Sequence, residues 1–179
     1  MSFPSFATGE VLTAADMNAV GQWLVGGGSF AGASSFDMTG ISNDYIYYRA
    51  VFSMTSNTTA GLQAVLYNGA TARNSLYYAG VGYADYVNSV GGANSSNSTT
   101  FFWAGQATGS YRSQTVIEFR RKASEQFTFT LQAFEANTFR AIHSAGFRNA
   151  TDAFDRIRIT PSGGATATGE WRLYGYREP

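Results

Sequence analysis

The sequence predicts an all-β protein, a jelly-roll-like antiparallel β-sandwich of about eight strands preceded by a short N-terminal arm and helix. Aromatic residues make up 16% of the 179 residues and charged residues only 13%, a composition typical of strands joined by polar, uncharged loops. Several segments alternate apolar and polar residues, as in Phe127-Thr-Phe-Thr-Leu-Gln132. Gly, Asn and Ser separate these segments, which is the usual sign of turns between strands.

The first patterned segment runs from Thr13 to Leu24. Thr13 is a suitable N-cap with Asp16 three residues later, and the apolar residues that follow fall on one helical face. We expect a helix of about three turns here, ended by a hinge at Gly26-Gly-Gly28. The helix packs either against its own domain or against copies of itself or a partner. The predicted anchor and oligomer interface comprises Leu12, Met17, Val20 and Leu24.

The domain division follows from this hinge. Residues 1–28 form the anchor arm, helix and hinge, and residues 29–179 form the β-sandwich. The predicted strands are Tyr45–Met54, Gly61–Tyr67, Ser75–Tyr78, Phe101–Ala104, Thr115–Arg120, Gln126–Gln132, Phe154–Thr160 and Gly169–Tyr176. Asn68-Gly69 predicts a tight turn, and residues 88–100 predict a polar loop. The last two strands read as a hairpin whose inward residues are Ile157, Ile159, Trp171 and Leu173.

Charge and composition exclude several classes of function. Lys and Arg balance Asp and Glu at 12 each, and the one basic run, Arg120-Arg121-Lys122, is too short for the clustered charge that binds nucleic acid. The absence of Cys excludes disulfides and thiolate metal sites. No apolar run is long enough for a membrane helix, and the N-terminus lacks a signal-peptide pattern. We therefore expect no membrane insertion and assembly in a cytoplasm.

The sequence contains no catalytic motif. His143 is the only histidine, and its neighbours lack the spacing of a nucleophile elbow, so we interpret it as a structural strand or loop residue. Glu118 is expected to be solvated, and the sparse carboxylates give no reason to expect a glycosidase pair. Asp44, Asp152 and Asp155 do not form the Asp-rich loop of a calcium site. We predict that the protein is not an enzyme and has no cofactor or metal.

Aromatic residues beside Gly, Asn and Ser are the remaining candidates for function. Tyr and Trp in such segments make good contact surfaces at low entropic cost. The alternative is that these rings belong to the core or to subunit contacts. The candidate receptor-contact residues are Tyr83, Tyr86, Trp103 and Tyr111.

The segment Phe6-Ala-Thr-Gly-Glu-Val-Leu-Thr-Ala-Ala-Asp-Met-Asn18 resembles the short N-terminal motif of tailed-bacteriophage fibre and appendage proteins. The stretches Ile41–Phe52 and Leu62–Gly69, together with Phe154–Thr160 and Leu173–Gly175, are similar to the first and last strands of the jelly-roll knob in that family. The resemblance implies a homotrimer without catalytic residues, anchored through residues 1–25. No fibre shaft separates the anchor from the knob, which argues against a long tail fibre.

On this resemblance we expect a virion structural protein in a tail or head appendage. The main prediction is a trimeric short fibre whose knob attaches to host-surface polysaccharide. Its expected partners are copies of itself, other virion proteins and the host glycan. The alternatives are a capsid-decorating cement protein that stabilises the phage head, and a glycan-degrading enzyme.

Overall fold

A computed structural model describes residues 21–84, 90–98, 106–107, 112–121, 125–135 and 140–177 of the chain. No helix in these ranges is long and apolar enough to cross a lipid bilayer. One turn of 3-10 helix, Ser162–Gly164, lies between the last two strands. The strands are β1 Gln22–Ala33, β2 Phe36–Thr39, β3 Tyr47–Ser56, β4 Ala60–Asn68, β5 Thr71–Arg73, β6 Tyr77–Ala84, β7 Val90–Ser98, β8 Gln106–Ala107, β9 Ser113–Arg120, β10 Phe127–Glu135, β11 Arg140–Arg148, β12 Arg156–Pro161 and β13 Ala167–Tyr176.

The strands form two antiparallel sheets. The large sheet has eight strands in the order β1-β13-β3-β9-β10-β11-β6-β7. The small sheet has the order β2-β12-β4-β5, with β8 paired to one end of β4. Their inner faces meet in a single apolar core, so the predicted jelly-roll-like β-sandwich is confirmed. The largest fully buried side chains are Tyr48, Tyr77, Phe52, Met38, Met54, Leu62, Leu66, Ile117, Leu131, Ile157 and Ile159.

Period-2 alternation explains which face of each strand enters the core. In β10, Phe127, Phe129 and Leu131 are buried while Thr128 and Thr130 are exposed, as predicted. In an extended strand successive side chains point to opposite faces, so an alternating sequence buries one whole set against the opposite sheet. The same rule gives β3 its buried set, Tyr48, Ala50, Phe52 and Met54.

The predicted C-terminal hairpin is wrong, although its inward residues are correct. Ile157, Ile159, Trp171 and Leu173 are all buried. However, β12 pairs with β2 and β4, whereas β13 pairs with β1 and β3. The turn between them carries the chain from one sheet to the other. Alternation could not reveal this, because both strands bury one face in the same core.

The predicted glycine hinge and the end of the predicted N-terminal helix are also corrected, whereas residues 13–20 of that helix lie outside the described residues. Residues 22–24 begin β1, and Gly26-Gly-Gly28 continues this strand opposite Trp171–Leu173 of β13. A Cβ on Gly26 would overlap the carbonyl oxygen of Thr39 and lie 3.1 Å from the Trp171 ring. Glycine is needed here for close backbone approach rather than for flexibility. The proposed domain boundary at residue 28 therefore falls inside a strand.

The polar segment at residues 88–100 is not a loop throughout. Residues 90–98 form β7, which pairs with β6 along the edge of the large sheet. Backbone hydrogen bonds form this pair, so the strand requires no apolar side chains. The rest of that segment, and the predicted strand at residues 101–104, lie outside the described residues.

Candidate site on the exposed face of the large sheet

The outer face of the large sheet, turned away from the small sheet, collects polar and aromatic side chains. Antiparallel pairing aligns these side chains in rows that cross the strands. Neighbouring strands lie about 4.8 Å apart, and successive rows on one face lie about 6.8 Å apart. Three adjacent rows cross β3, β9, β10, β11 and β6 in the middle of the sheet.

The middle row forms the floor of a groove. It consists of Arg49, Glu118, Thr130, Ala145 and Gly80, each directly opposite the next. At the β3 end, Arg49 Nε lies 3.8 Å from Glu118 Oε1 in a solvent-exposed ion pair. Side chains shorten from Arg and Glu to Ala and Gly, so the floor deepens toward β6.

One neighbouring row, the polar rim, contains Gln132 and His143 as a directly opposed pair on β10 and β11. Both side chains are exposed. In such a pair the Cβ atoms lie about 5 Å apart, so the amide and the imidazole can contact the same ligand. The amide supplies a donor and an acceptor, and the imidazole can take up or release a proton.

The row on the other side, the aromatic rim, consists of Tyr47, Arg120, Thr128, Phe147 and Tyr78. The Arg120 guanidinium lies over the Tyr47 ring, 5.5 Å from its centroid, and 3.3 Å from a carboxylate oxygen of Glu125. At the other end the rings of Tyr78 and Phe147 stack, with centroids 5.1 Å apart and planes 11° from parallel.

Two depressions follow the floor and the aromatic rim, and the polar rim borders the floor without lining either depression. One, of about 410 Å³, is lined by Tyr47, Glu118, Phe119, Arg120, Thr128, Phe129 and Thr130. The other, of about 600 Å³, is lined by Tyr78, Ala79, Gly80, Gln126, Thr128, Phe129, Ala145, Gly146 and Phe147. They share Thr128 and Phe129, so they form one continuous depression, here called the sheet groove. From β3 to β6 it spans about 19 Å, or four strand spacings.

The strand that carries Tyr78 is held rigidly from behind. Its neighbour Tyr77 is fully buried, and the Tyr77 hydroxyl accepts a hydrogen bond from the Leu66 backbone N–H at 3.1 Å, which ties the large sheet to the small one. Burial raises the pKa of Tyr77 to about 12, so the phenol stays neutral at ordinary pH. Buried Arg148 donates to the Ser75 carbonyl at 3.2 Å and to Asp152 at 2.9 Å.

The backbone just before this strand is strained. Leu76 has a φ of 66°, a left-handed conformation that costs a non-glycine residue about 1–3 kcal/mol. Its carbonyl accepts the Asn149 backbone N–H at 2.9 Å. Strain of this kind persists only where the surroundings fix the conformation, and it is found most often near binding sites. Here the strained Leu76 lies directly before Tyr77, the first residue of β6, and so fixes the direction in which the chain enters that strand.

The carboxylates of this face do not match the geometry of a glycosidase. Glu118 and Glu170 lie two strands and four residues apart, which is about 17 Å. A glycosidase pair is separated by about 5–9.5 Å. Glu125 is paired with Arg120. In the described ranges no group of three or more His, Cys, Asp or Glu residues is arranged to hold a metal ion.

The structure distributes the predicted site residues differently from our expectation. Tyr83 lies on the inner side of β6, half-buried against the core, with the Arg140 guanidinium 4.6 Å from its ring centroid. This position agrees with the core alternative, and a receptor contact through Tyr83 stays a prediction. Leu24 is 63% exposed in β1, at the far edge of the sheet. Leu12, Met17, Val20, Tyr86, Trp103 and Tyr111 lie outside the described residues.

Sequence reasoning placed His143 in a strand or loop but gave it no functional role. The histidine does lie in a strand, β11, and stands exposed on the polar rim opposite Gln132. A single histidine carries no motif, and its partner becomes visible only from the register of β10 and β11. Glu118 is exposed as predicted, and its ion pair with Arg49 likewise depends on the pairing of β9 with β3.

No protein-family model and no curated protein matches the chain. Among solved structures, an alginate lyase Aly36B mutant in complex with alginate tetrasaccharide matches 80% of this chain and 75% of its own, at 9% identity and a TM-score of 0.39. A second structure of alginate lyase Aly36B matches over the same shares at 10% identity and a TM-score of 0.35. An endo-β-1,4-glucuronan lyase from the fungus Trichoderma reesei matches 83% of this chain and 75% of its own, at 8% identity and a TM-score of 0.33.

These neighbours are polysaccharide-degrading enzymes, and they correct the main functional prediction. The interpretation as a phage fibre without enzymatic activity is wrong, and the glycan-degrading alternative fits the neighbours better. TM-scores below 0.5 say nothing of the activity or substrate of this chain, which must come from its own residues. The resemblance of residues 6–18 to a phage anchor, the homotrimer, its virion partners and the virion location stay untested predictions.

Proposed function

We propose that this chain cleaves an acidic polysaccharide by β-elimination in the sheet groove. The observation that carries the proposal is the exposed Gln132–His143 pair on the rim of a groove whose floor and opposite rim hold Arg49 and Arg120. These residue types suit proton abstraction beside a carboxylate. They do not suit hydrolysis by two carboxylates, since Glu118 and Glu170 are too far apart.

The chemistry assigns a role to each group. The proton next to a uronate carboxylate is acidic only if the negative charge that develops on the carboxylate is stabilised. Gln132, directly opposite His143, supplies hydrogen bonds for that purpose. Arg49 and Arg120 lie about 16–17 Å from His143 between backbones, so their positive charge serves the carboxylates of neighbouring sugars. His143 takes the proton, the electron pair forms a carbon–carbon double bond, and the glycosidic carbon–oxygen bond breaks. The departing sugar oxygen receives a proton from water.

The floor of the groove lies beside the Gln132–His143 pair. A uronate ring above Thr130 and Ala145 lies one row, about 7 Å between backbones, from Gln132 and His143. The Arg49–Glu118 ion pair adjoins the same part of the floor. Its 3.8 Å separation exceeds hydrogen-bond length. Arg49 Nε is buried, so contact with a ligand carboxylate falls to the outer nitrogens of the guanidinium.

The test uses the ultraviolet absorbance of the double bond that elimination creates. Purified chain is incubated with alginate or with glucuronan, and absorbance is followed over time. We expect a steady rise with the native chain. His143→Ala should lower the rate by about a hundredfold or more, as expected for loss of a general base. Gln132→Ala should lower it less. The matched control is Gln63→Ala, an exposed glutamine on the outer face of the small sheet, which should react like the native chain.

Three results would contradict the proposal. The first is that neither polysaccharide gains absorbance at any pH. The second is that new reducing ends appear without a rise in absorbance. The third is that the His143→Ala protein cleaves as fast as the native chain. The second result would indicate hydrolysis in place of elimination. The third would move the base to another residue.

A further inference from the structure

We propose that the β6 end of the sheet groove is a subsite for one sugar ring of the bound polysaccharide, with Gly80 as its floor and the stacked Tyr78–Phe147 pair as its wall. The identity of the ligand rests on the proposed function. The site itself rests on the packing of β6 and β11.

Gly80 has no structural reason to be glycine. Its φ lies outside the left-handed region, and a Cβ built on it would meet no atom within 4 Å. A glycine inside a strand costs about 0.5–1 kcal/mol relative to alanine. Gly82, the next outward-facing residue of β6, is equally unconstrained. What the two glycines do provide is an open surface where side chains would otherwise fill the groove.

The wall is an exposed aromatic surface that is already ordered. Phe147 is 37% exposed, and its ring lies parallel to that of Tyr78. Aromatic rings pack well against the apolar C–H face of a sugar ring. Because each ring is held by the other, and β6 is held by the buried Tyr77 and Arg148, little side-chain freedom remains to be lost on binding. A preorganised aromatic wall beside an empty floor fits a flat, partly apolar ring.

Polar and charged groups border the same depression. Thr128 and Gln126 line it, and they offer hydrogen bonds to sugar hydroxyls. Arg120 stands directly opposite Thr128 on β9, so its positive charge lies where the depression continues toward β3. The guanidinium is paired with Glu125 at 3.3 Å, and a neighbouring uronate carboxylate can take the place of that partner. This favours a uronate polysaccharide over an apolar peptide as the occupant.

The subsite lies next to the proposed reaction centre. Gly80 and Ala145 are one row, about 7 Å, from Gly82 and His143. Phe147 lies one further row beyond Ala145. A ring against the aromatic wall therefore belongs to a sugar beside the one whose proton faces His143. Occupation of this subsite would fix the position of the chain over the polar rim.

Binding of alginate tetrasaccharide, measured by isothermal titration calorimetry, tests the subsite. All proteins carry His143→Ala so that the ligand stays intact. Gly80→Leu fills the floor, and Phe147→Ala removes half of the wall. We expect each substitution to raise the dissociation constant by about tenfold or more. The matched controls are Ala141→Leu, an exposed position on β11, and Phe134→Ala, a residue 49% exposed on the same face away from the depression. Both controls should bind within about twofold of the parent.

Gly80→Ala checks that the effect follows side-chain size, and it should fall between the parent and Gly80→Leu. The proposal is overturned if the parent does not bind, or if Gly80→Leu and Phe147→Ala bind like the controls while thermal unfolding shows all proteins folded. Failure of the proposed function is a separate result. If the native chain cleaves neither alginate nor glucuronan but Gly80→Leu still weakens binding, the subsite stands without elimination. If the native chain cleaves the polysaccharide while Gly80→Leu and Phe147→Ala change neither cleavage nor binding, the elimination proposal stands and the subsite proposal is overturned.

Discussion

Gly146→Ala is the substitution that tests the geometry of the groove most sharply. Gly146 of β11 lies opposite Ala79 of β6. A Cβ at this position would overlap the Tyr78 carbonyl oxygen, and would lie 2.8 Å from Phe129 Cε1 and 2.9 Å from Ala79 Cα. Carbon atoms in contact normally stay about 3.5–4.0 Å apart. The added methyl group therefore forces β6 and β11 apart by roughly 0.6–1 Å.

The energetic consequence follows from two opposing effects. Overpacking in a close-packed region costs about 1–3 kcal/mol. Replacing glycine by alanine in a strand returns about 0.5–1 kcal/mol. We expect Gly146→Ala to lower the free energy of unfolding by about 1–2 kcal/mol. Gly80→Ala, on the neighbouring strand with open space around its Cβ, shows only the favourable effect and should raise it by about 0.5–1 kcal/mol.

Urea unfolding at equilibrium, followed by tryptophan fluorescence and extrapolated linearly to water, measures both changes. The two substitutions are chemically identical, so their difference reports only the surroundings of the two glycines. If Gly146→Ala is as stable as Gly80→Ala, β6 and β11 do not approach as closely as described. The register that aligns Ala145 with Gly80, and the groove floor with it, would then be wrong.

Two further predictions concern the Tyr77 hydrogen bond that joins the two sheets and the Asp37–Arg158 ion pair between β2 and β12 within the small sheet. Tyr77→Phe leaves the Leu66 N–H without its acceptor in the core, so we expect the free energy of unfolding to fall by about 1–3 kcal/mol. The control Tyr47→Phe, at the exposed surface, should leave the free energy of unfolding almost unchanged. Equal effects of the two substitutions would contradict the buried hydrogen bond. Arg158 donates from Nε and Nη2 to both oxygens of Asp37 at 2.7 and 2.8 Å, and this holds the Asp37 pKa below its ordinary value of 3.8. The stabilising contribution of the ionised Asp37 carboxylate is therefore complete when the pH is above the ordinary pKa of Asp, and it disappears as the pH falls through the lower pKa of the folded protein. In acid, the melting temperature should fall less steeply with decreasing pH for Asp37→Asn than for the native chain. The same fall in both proteins would contradict a stabilising Asp37–Arg158 ion pair.

The parts of the fold that depend on local alternation could be predicted from the sequence. The inward sets of β3, β10, β12 and β13 all follow from the period of two, since each strand contacts the same core. Which strands pair depends on contacts far apart in sequence. The closing segments, Phe154–Thr160 and Gly169–Tyr176, look like a hairpin locally, yet β13 finds its partners in β1 and β3.

Residues 22–28 show the same limit at the other end of the chain. The spacing of apolar residues up to Leu24 fits a helix, and three consecutive glycines usually end one. The backbone of β13 instead offers a full ladder of hydrogen bonds to this segment, and glycine permits the close approach to Trp171 and Thr39. For residues 22–24, this tertiary pairing outweighs the weak local preference for a helix.

The candidate site was less accessible to sequence reasoning than the fold. Gln132 and His143 are each unremarkable polar residues of alternating strands, and only the pairing of β10 with β11 brings them together. The groove floor likewise joins residues from five strands. The predicted strand Ser75–Tyr78 ends before Gly80, so this glycine could not be recognised as lying inside a strand, where it would suggest a close approach.

The proposed elimination and the proposed subsite both require a uronate polysaccharide to bind across the strands on the outer face of the large sheet. A crystal structure of the His143→Ala protein with a bound alginate oligosaccharide is the decisive measurement. We predict sugar rings over Thr130, Ala145 and Gly80, with one ring against Phe147. Sugar density on the small sheet, or binding in solution with no density in the sheet groove, would contradict the claim.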